Sequence, residues 1–244
     1  MTVRNRNSQG GFTLVELAVV LLIIGLIVGG ILRGQELITS AQLNSVQTDA
    51  NEIRTATNTF QDKFVALPGD YSNATNAIDG SNLSDGDGNG RIGGNRAGSG
   101  GSDEAADAWI HLAESGVLSS VQDPSSITSG LSAANGLSGS VGGFWTIGQG
   151  LPGVSGPSAG TGNFADSGAS GNNIWLVLGV DGTTNNNDGA IVTDDEAAQL
   201  DRKVDDGRPN SGDLRATDSC EDTSGNASSG DADAPYTTDG SECA

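Results

Sequence analysis

The 244-residue chain has one histidine, two cysteines, one methionine and only 11 basic residues. Each scarcity excludes something. A single histidine and the absence of any Cys/His cluster argue against a zinc site. Eleven Lys and Arg against 31 Asp and Glu leave a net charge of −20. Such a surface repels phosphate backbones, which excludes nucleic acid as a direct partner and suits cations or a basic protein. Aromatics make up 4% and hydrophobic residues 35% of the chain. Much of that apolar content lies in the first 40 residues, so the rest can build only a thin core. No P-loop occurs, and no carboxylate pair stands out as an acid/base couple. His111, beside Trp109 on a predicted helix, reads as a packed or surface residue. The chain is therefore read as a non-enzyme.

The cysteines, Cys220 and Cys243, sit in a polar C-terminal segment rather than in a core pattern. In an oxidising compartment their pairing closes a loop, worth ~3 kcal/mol in the chain-entropy picture. The alternative is two free thiols.

What the chain does have is one long apolar run. Phe12 to Leu32 is 21 residues with a single charge, Glu16, preceded by Gly10-Gly11 and by Arg4 and Arg6, and followed by Arg33. A helix of that length covers ~30 Å, the thickness of a bilayer core. The small residues precede the run, so a cut there removes a short basic leader and leaves the helix in place, unlike a secretory signal peptide. The basic leader predicts that the C-terminal bulk crosses the membrane.

The stretch "GGFTLVELAVVLLIIGLI" closely resembles the N-terminal signature of type IV pilins and type II secretion pseudopilins. The resemblance covers about 20 residues. It implies cutting by a prepilin peptidase between Gly11 and Phe12, methylation of the new amine, and Glu16 as the family's assembly glutamate. It also implies pilin or pseudopilin subunits and an inner-membrane assembly platform as partners. The expected location is the bacterial inner membrane, with a periplasmic C-terminal domain, and then a periplasmic or extracellular filament. The physics agrees. A lone carboxylate in lipid costs a few kcal/mol unless paired, and cleavage creates a cation, the Phe12 amine, one turn away.

Val46, Ala50, Ile53, Thr57, Phe60 and Phe64 recur at spacings of four and three, one face of a helix. The helix from 12 to 64 spans ~80 Å and ends before Pro68, where "LPGDY" reads as an exit turn. Further on, the sequence predicts a helix over "DEAADAWIHLAESG", capped by Ser102 and ending at Gly116. Strands are predicted over 142–148, 173–181 and 189–193, the last two as a hairpin across Asn187-Asp188-Gly189. A last helix opens with a capping box, Thr193 to Glu196, and ends at Gly207. "LPGDY", "AWIHLAESG" and "LDRKVDDGRPNSGDLRA" resemble blocks in a subset of bacterial prepilin-type proteins.

The expected fold is α+β and pilin-like: a long N-terminal helix on a small antiparallel sheet, with short helices and long loops. Its parts are a leader (1–11), a transmembrane or filament-core helix (12–33), the amphipathic continuation (34–66) and a C-terminal globular domain (67–244).

"SDGDGNGRIGG" adds a candidate metal loop. Asp85, Asp87 and Asn89 alternate, Gly90 allows a sharp turn, and the Arg91 carbonyl follows, as in the first half of an EF-hand calcium loop. Arg96 stands where the closing carboxylate belongs, leaving Asp103 or Glu104 to complete a Ca2+ site. A second Asp/Asn-rich turn, Asp181 to Asp188, has a weaker pattern.

Overall fold

The computed structural model describes residues 13–94, 103–129, 131–132, 134–149, 174–180, 191–205, 207, 213–214 and 242–243. Gly11, Phe12, Ser102, Cys220 and the Asp181–Asp188 turn lie outside these residues. The chain divides into two units, Met1–Ala41 and Gln42–Ala244.

Helix α1 spans Leu14–Phe64, and its residues up to Ala41 belong to the first unit. There the large apolar side chains from Leu14 to Ile38 are all exposed. No residue of the most apolar window is buried, and the helix is long and apolar enough to cross a membrane.

In the second unit the helix turns amphipathic, as the spacing predicts. Leu43, Val46, Ile53, Ala56, Thr57 and Phe60 are buried, with Ala50 and Phe64 half-buried at the stripe's edge. Each fully buried large side chain of this kind contributes roughly 1.5–3 kcal/mol. The helix ends before Pro68 is reached: Val65 already has φ 56°, the left-handed conformation that closes many helix C-termini.

A short turn of helix, α2 (Ala74–Ala77), follows, then α3 (Glu104–Glu114). The sequence gives α3 one apolar face, yet every residue from Ala105 to Leu112 is buried. The reason is its neighbours. Phe60 of α1 stacks on His111 with ring centroids 6.0 Å apart, and a 3-10 turn (Pro124–Ser129) and strand β1 (Phe144–Gln149) also lie against it. Ala105, Ala106 and Ala108 supply the close approach. α3 ends as expected, with Gly116 at φ 75° just past it.

Strand β1 pairs antiparallel with β2 (Ile174–Gly179), in the register Phe144 opposite Gly179 and Gln149 opposite Ile174. The predicted hairpin partner of β2 is therefore corrected. β3 (Val192–Thr193) instead pairs antiparallel with β4 (Glu242–Cys243), a two-residue ladder between segments distant in sequence. The turn at 187–189 lies outside the described residues; the partner that β2 does take is a buried one, for all six residues of β1 are buried, with α3 and β2 against them. Helix α4 (Asp194–Val204) carries the expected capping box, with the Thr193 N–H donating to Glu196 Oε2 at 2.9 Å. The architecture is α+β and pilin-like: a long N-terminal helix, short helices and small antiparallel ladders.

Candidate functional site

Among the described residues, two places concentrate chemistry. The first is the loop 84–94, which lies on the exit turn of α1. Gly86 N–H donates to the Tyr71 carbonyl at 3.0 Å and Gly88 N–H to the Asp70 carbonyl at 3.1 Å. A Cβ on Gly86 would overlap the backbone of Gly69 and Asp70, so only glycine allows this contact. The loop's far end is pinned twice. Ile92 exchanges backbone and side-chain hydrogen bonds with Gln149 of β1, and the Gly93 carbonyl accepts from Ala105 N–H at 3.0 Å.

This wiring brings one carboxylate oxygen each of Asp70, Asp87 and Glu104 within 4.8 Å of one another. Glu104 accepts from Asp87 N–H (3.0 Å) and from Gly93 N–H (2.8 Å). Asp70 Oδ2 accepts from Gly90 N–H at 3.0 Å, while Asp70 Oδ1 is buried with no hydrogen-bond partner. Burial pushes the Asp70 and Glu104 carboxyls above the usual carboxylate range, and the Asp87 charge adds to the upward push on both. Hydrogen bonds from Asn89 hold exposed Asp87 below that range.

Of the residues expected from sequence, Asp87 and Glu104 meet here. Asp85 lines the same cleft, but its carboxylate accepts from Thr75 N–H (2.9 Å) and Oγ1, tying down the start of α2. Asn89 donates to Asp87 through N–H (3.0 Å) and Nδ2 (2.6 Å). Arg91 is half-buried in the same loop, and Asp103 occupies the N-cap position of α3. Asp70 escaped the sequence reading because "LPGDY" looked complete as a turn. The available signal was an acidic residue inside that turn, next to a glycine.

His111 locks the exit turn from behind. Gly69 N–H donates to Nδ1 at 2.9 Å, which leaves the proton on Nε2, 2.9 Å from the Ser84 carbonyl oxygen. The ring is fully buried and bridges the two chain segments that flank the cleft. Burial pushes it below the ordinary histidine range, against the Ser84 carbonyl and the negative charges of Asp107 and Asp85. Protonation would also turn Nδ1 from acceptor to donor against Gly69 N–H. The unfolded chain therefore takes up this proton first. The stability from neutral His111 is present above the unfolded value of about 6.5 and is lost as pH falls below it, by at most about 1.4 kcal/mol per pH unit. Asp70 and Glu104, with raised values, act in the opposite sense. The measurement is thus a difference: melting temperature between pH 7 and 5 should fall more steeply in wild type than in His111→Gln. Equal slopes would remove His111 as the acid-sensitive group.

The second place is the start of α1. Thr13 N–H and Oγ1 both donate to Glu16 Oε2 at 2.8 Å, and Glu16 N–H donates back to Thr13 Oγ1 at 3.3 Å. This is a reciprocal capping box, and it orients the one carboxylate of the apolar segment along the helix N-terminus. Glu16 Oε1 stays outside these bonds. The flanking sequence decides what the arrangement belongs to. Residues 6–32 are a prokaryotic N-terminal methylation motif. That motif is the signature of type IV pilins and pseudopilins, and it covers the leader, Gly11, Phe12, Glu16 and the apolar helix. No curated protein and no solved structure matches the chain. The methylation motif implies processing by a prepilin peptidase and association with other pilin-type subunits. Sequence reasoning found Glu16 through the motif but missed its bond to Thr13, although Thr-x-x-Glu is itself a capping pattern.

Proposed function

We propose that this chain is a structural subunit of a type IV filament, a pilus or a secretion pseudopilus, stored in the inner membrane with its C-terminal domain in the periplasm. The observation that carries this reading is an exposed, membrane-length helix bearing the methylation motif, with its one carboxylate held at the first turn. Cutting between Gly11 and Phe12 removes the basic leader and frees an amine next to Thr13. In the membrane the capping box already shields one oxygen of Glu16, and Oε1 accepts the amine of an adjoining subunit. Apolar helices alone slide along one another, whereas one buried ion pair fixes the axial step. Gly25, Gly29, Gly30 and Gly34, with no side-chain or distant backbone neighbours around them, let a second helix approach closely. The subunit's role is mechanical, and catalysis has no part in it.

The test is the N-terminus of protein sheared from filaments. Mass spectrometry is expected to show a chain beginning at methylated Phe12. A polypeptide confined to the membrane fraction and still starting at Met1 would refute the proposal and favour a non-polymerising, membrane-anchored ectodomain that binds calcium or mediates adhesion.

A further inference from the structure

The acidic corner at the exit turn asks for a cation. Three carboxylates converge within 4.8 Å from three separate segments: the turn after α1, the loop 84–94 and the first residue of α3. None of the contacts made by Asp70, Asp87 or Glu104 among the described residues is with a Lys or Arg side chain. Asp70 is only 4% exposed, and its Oδ1 has no partner, in a molecule whose other loop-anchoring carboxylates are hydrogen-bonded. A buried carboxylate oxygen without a donor has lost its hydration with nothing in return, the more so if charged, and neighbouring like charges add to that cost. A dication at the point of convergence removes both penalties together.

We propose that Asp70, Asp87 and Glu104 bind one calcium ion, which clasps the loop 84–94 to the end of α1 and the start of α3. The donor chemistry sets the class of metal. All three donors are hard carboxylate oxygens, and the nearby imidazole of His111 is used up by Gly69 and Ser84. That set selects calcium or magnesium over zinc, copper or nickel. Coordination chemistry then favours calcium. Mg2+ demands near-ideal octahedral geometry and gives up its water reluctantly, whereas Ca2+ accepts irregular sets of carboxylate oxygens and water. Carboxylates set by a backbone that is pinned at Gly86, Gly88, Gly90 and Gly93 suit the more tolerant ion. The adjoining cleft of about 350 Å3, lined by Asp85, Asp87, Asn89 and Glu104 among others, leaves space for water to complete six to eight ligands. The wiring also explains why Asp87 N–H is spent on Glu104: it sets the two carboxylates in register before any ion arrives. This site stands whether or not the chain polymerises.

The experiment is equilibrium dialysis of the full-length, detergent-solubilised chain against radioactive calcium after chelator treatment, with magnesium as competitor. One saturable calcium per chain is expected, resistant to a tenfold excess of magnesium. Exposed Asp87→Asn should weaken it at least tenfold, and Glu104→Gln should do likewise. Asp79→Asn, an exposed acid outside the cluster, should leave it unchanged, which controls for the general attraction of a −20 chain. Circular dichroism checks that each variant is folded. Absence of a saturable site, a site indifferent to Asp87→Asn, or equal displacement by magnesium would each overturn the proposal.

Discussion

Replacing Glu16 by glutamine is expected to abolish filament incorporation while the membrane helix still forms. The substitution separates two roles that alanine would remove together. Glutamine at the third helical position can still accept from Thr13 N–H and Oγ1, so the capping box survives. What it cannot supply is a negative charge to meet the Phe12 amine of a neighbour. Removing one partner of a buried charge pair costs about 2–5 kcal/mol, roughly 30-fold or more in affinity at every subunit contact. Glu16→Ala loses the same charge and, in addition, a cap worth ~1 kcal/mol. Counting subunits in sheared filaments for the three proteins at equal membrane abundance distinguishes the cases. If the glutamine protein assembles normally and only the alanine protein fails, Glu16 is a helix cap and the ion-pair account of registry is wrong.

The second large effect is expected at Gly86. A methyl group there meets backbone atoms of Gly69 and Asp70, which no side-chain rotation can relieve. Either the loop lifts from the exit turn, breaking the bonds to Tyr71 and Asp70, or the turn moves and disturbs the Gly69–His111 contact. Both routes place Gly86→Ala among severe substitutions, at about 3 kcal/mol or more. For a domain of this size that is a fall in melting temperature of roughly 6–12 °C. Gly90 provides the contrast. It has φ 83° but open space around its Cβ position, and asparagine tolerates that conformation. Gly90→Asn should therefore cost about 1 kcal/mol or less. Equal losses at the two positions would mean that backbone conformation, and not the close approach, governs this loop.

The parts legible in the sequence were those written at short range. The α1 stripe from Val46 to Phe64 shows in the spacing of its apolar residues, and the Thr193–Glu196 box in the spacing of two polar ones. The end of α3 at Gly116 shows in one glycine. Long-range facts left weaker traces. Nothing local marks β1 as the partner of β2, since the pairing is chosen by which strand covers α3. The burial of every α3 residue from Ala105 to Leu112 was disguised by its alanines, which look neutral on an exposed helix and become essential when neighbours press from every side. Asp70 is the clearest case. It lies 17 positions before Asp87 in a different segment, and bonds from Gly86, Gly88 and Gly90 bring the two together. Two of the three carboxylates could be read: Asp87 from an alternating Asp-x-Asp-x-Asn pattern and Glu104 as an acid left to close it. Asp70 depended on how two loops stack.

The contact between Gly69 and His111 spans 42 positions, and Ser84 and Gly93 are tied inside that interval. All of these residues precede β2 in the chain, so the corner needs nothing that lies after β1. If the C-terminal domain crosses the membrane as proposed, the chain can therefore finish this corner before β2, α4 or β4 has come through. The seat of the amphipathic helix is then ready early, and the late-arriving strands condense onto a partner that already has its shape.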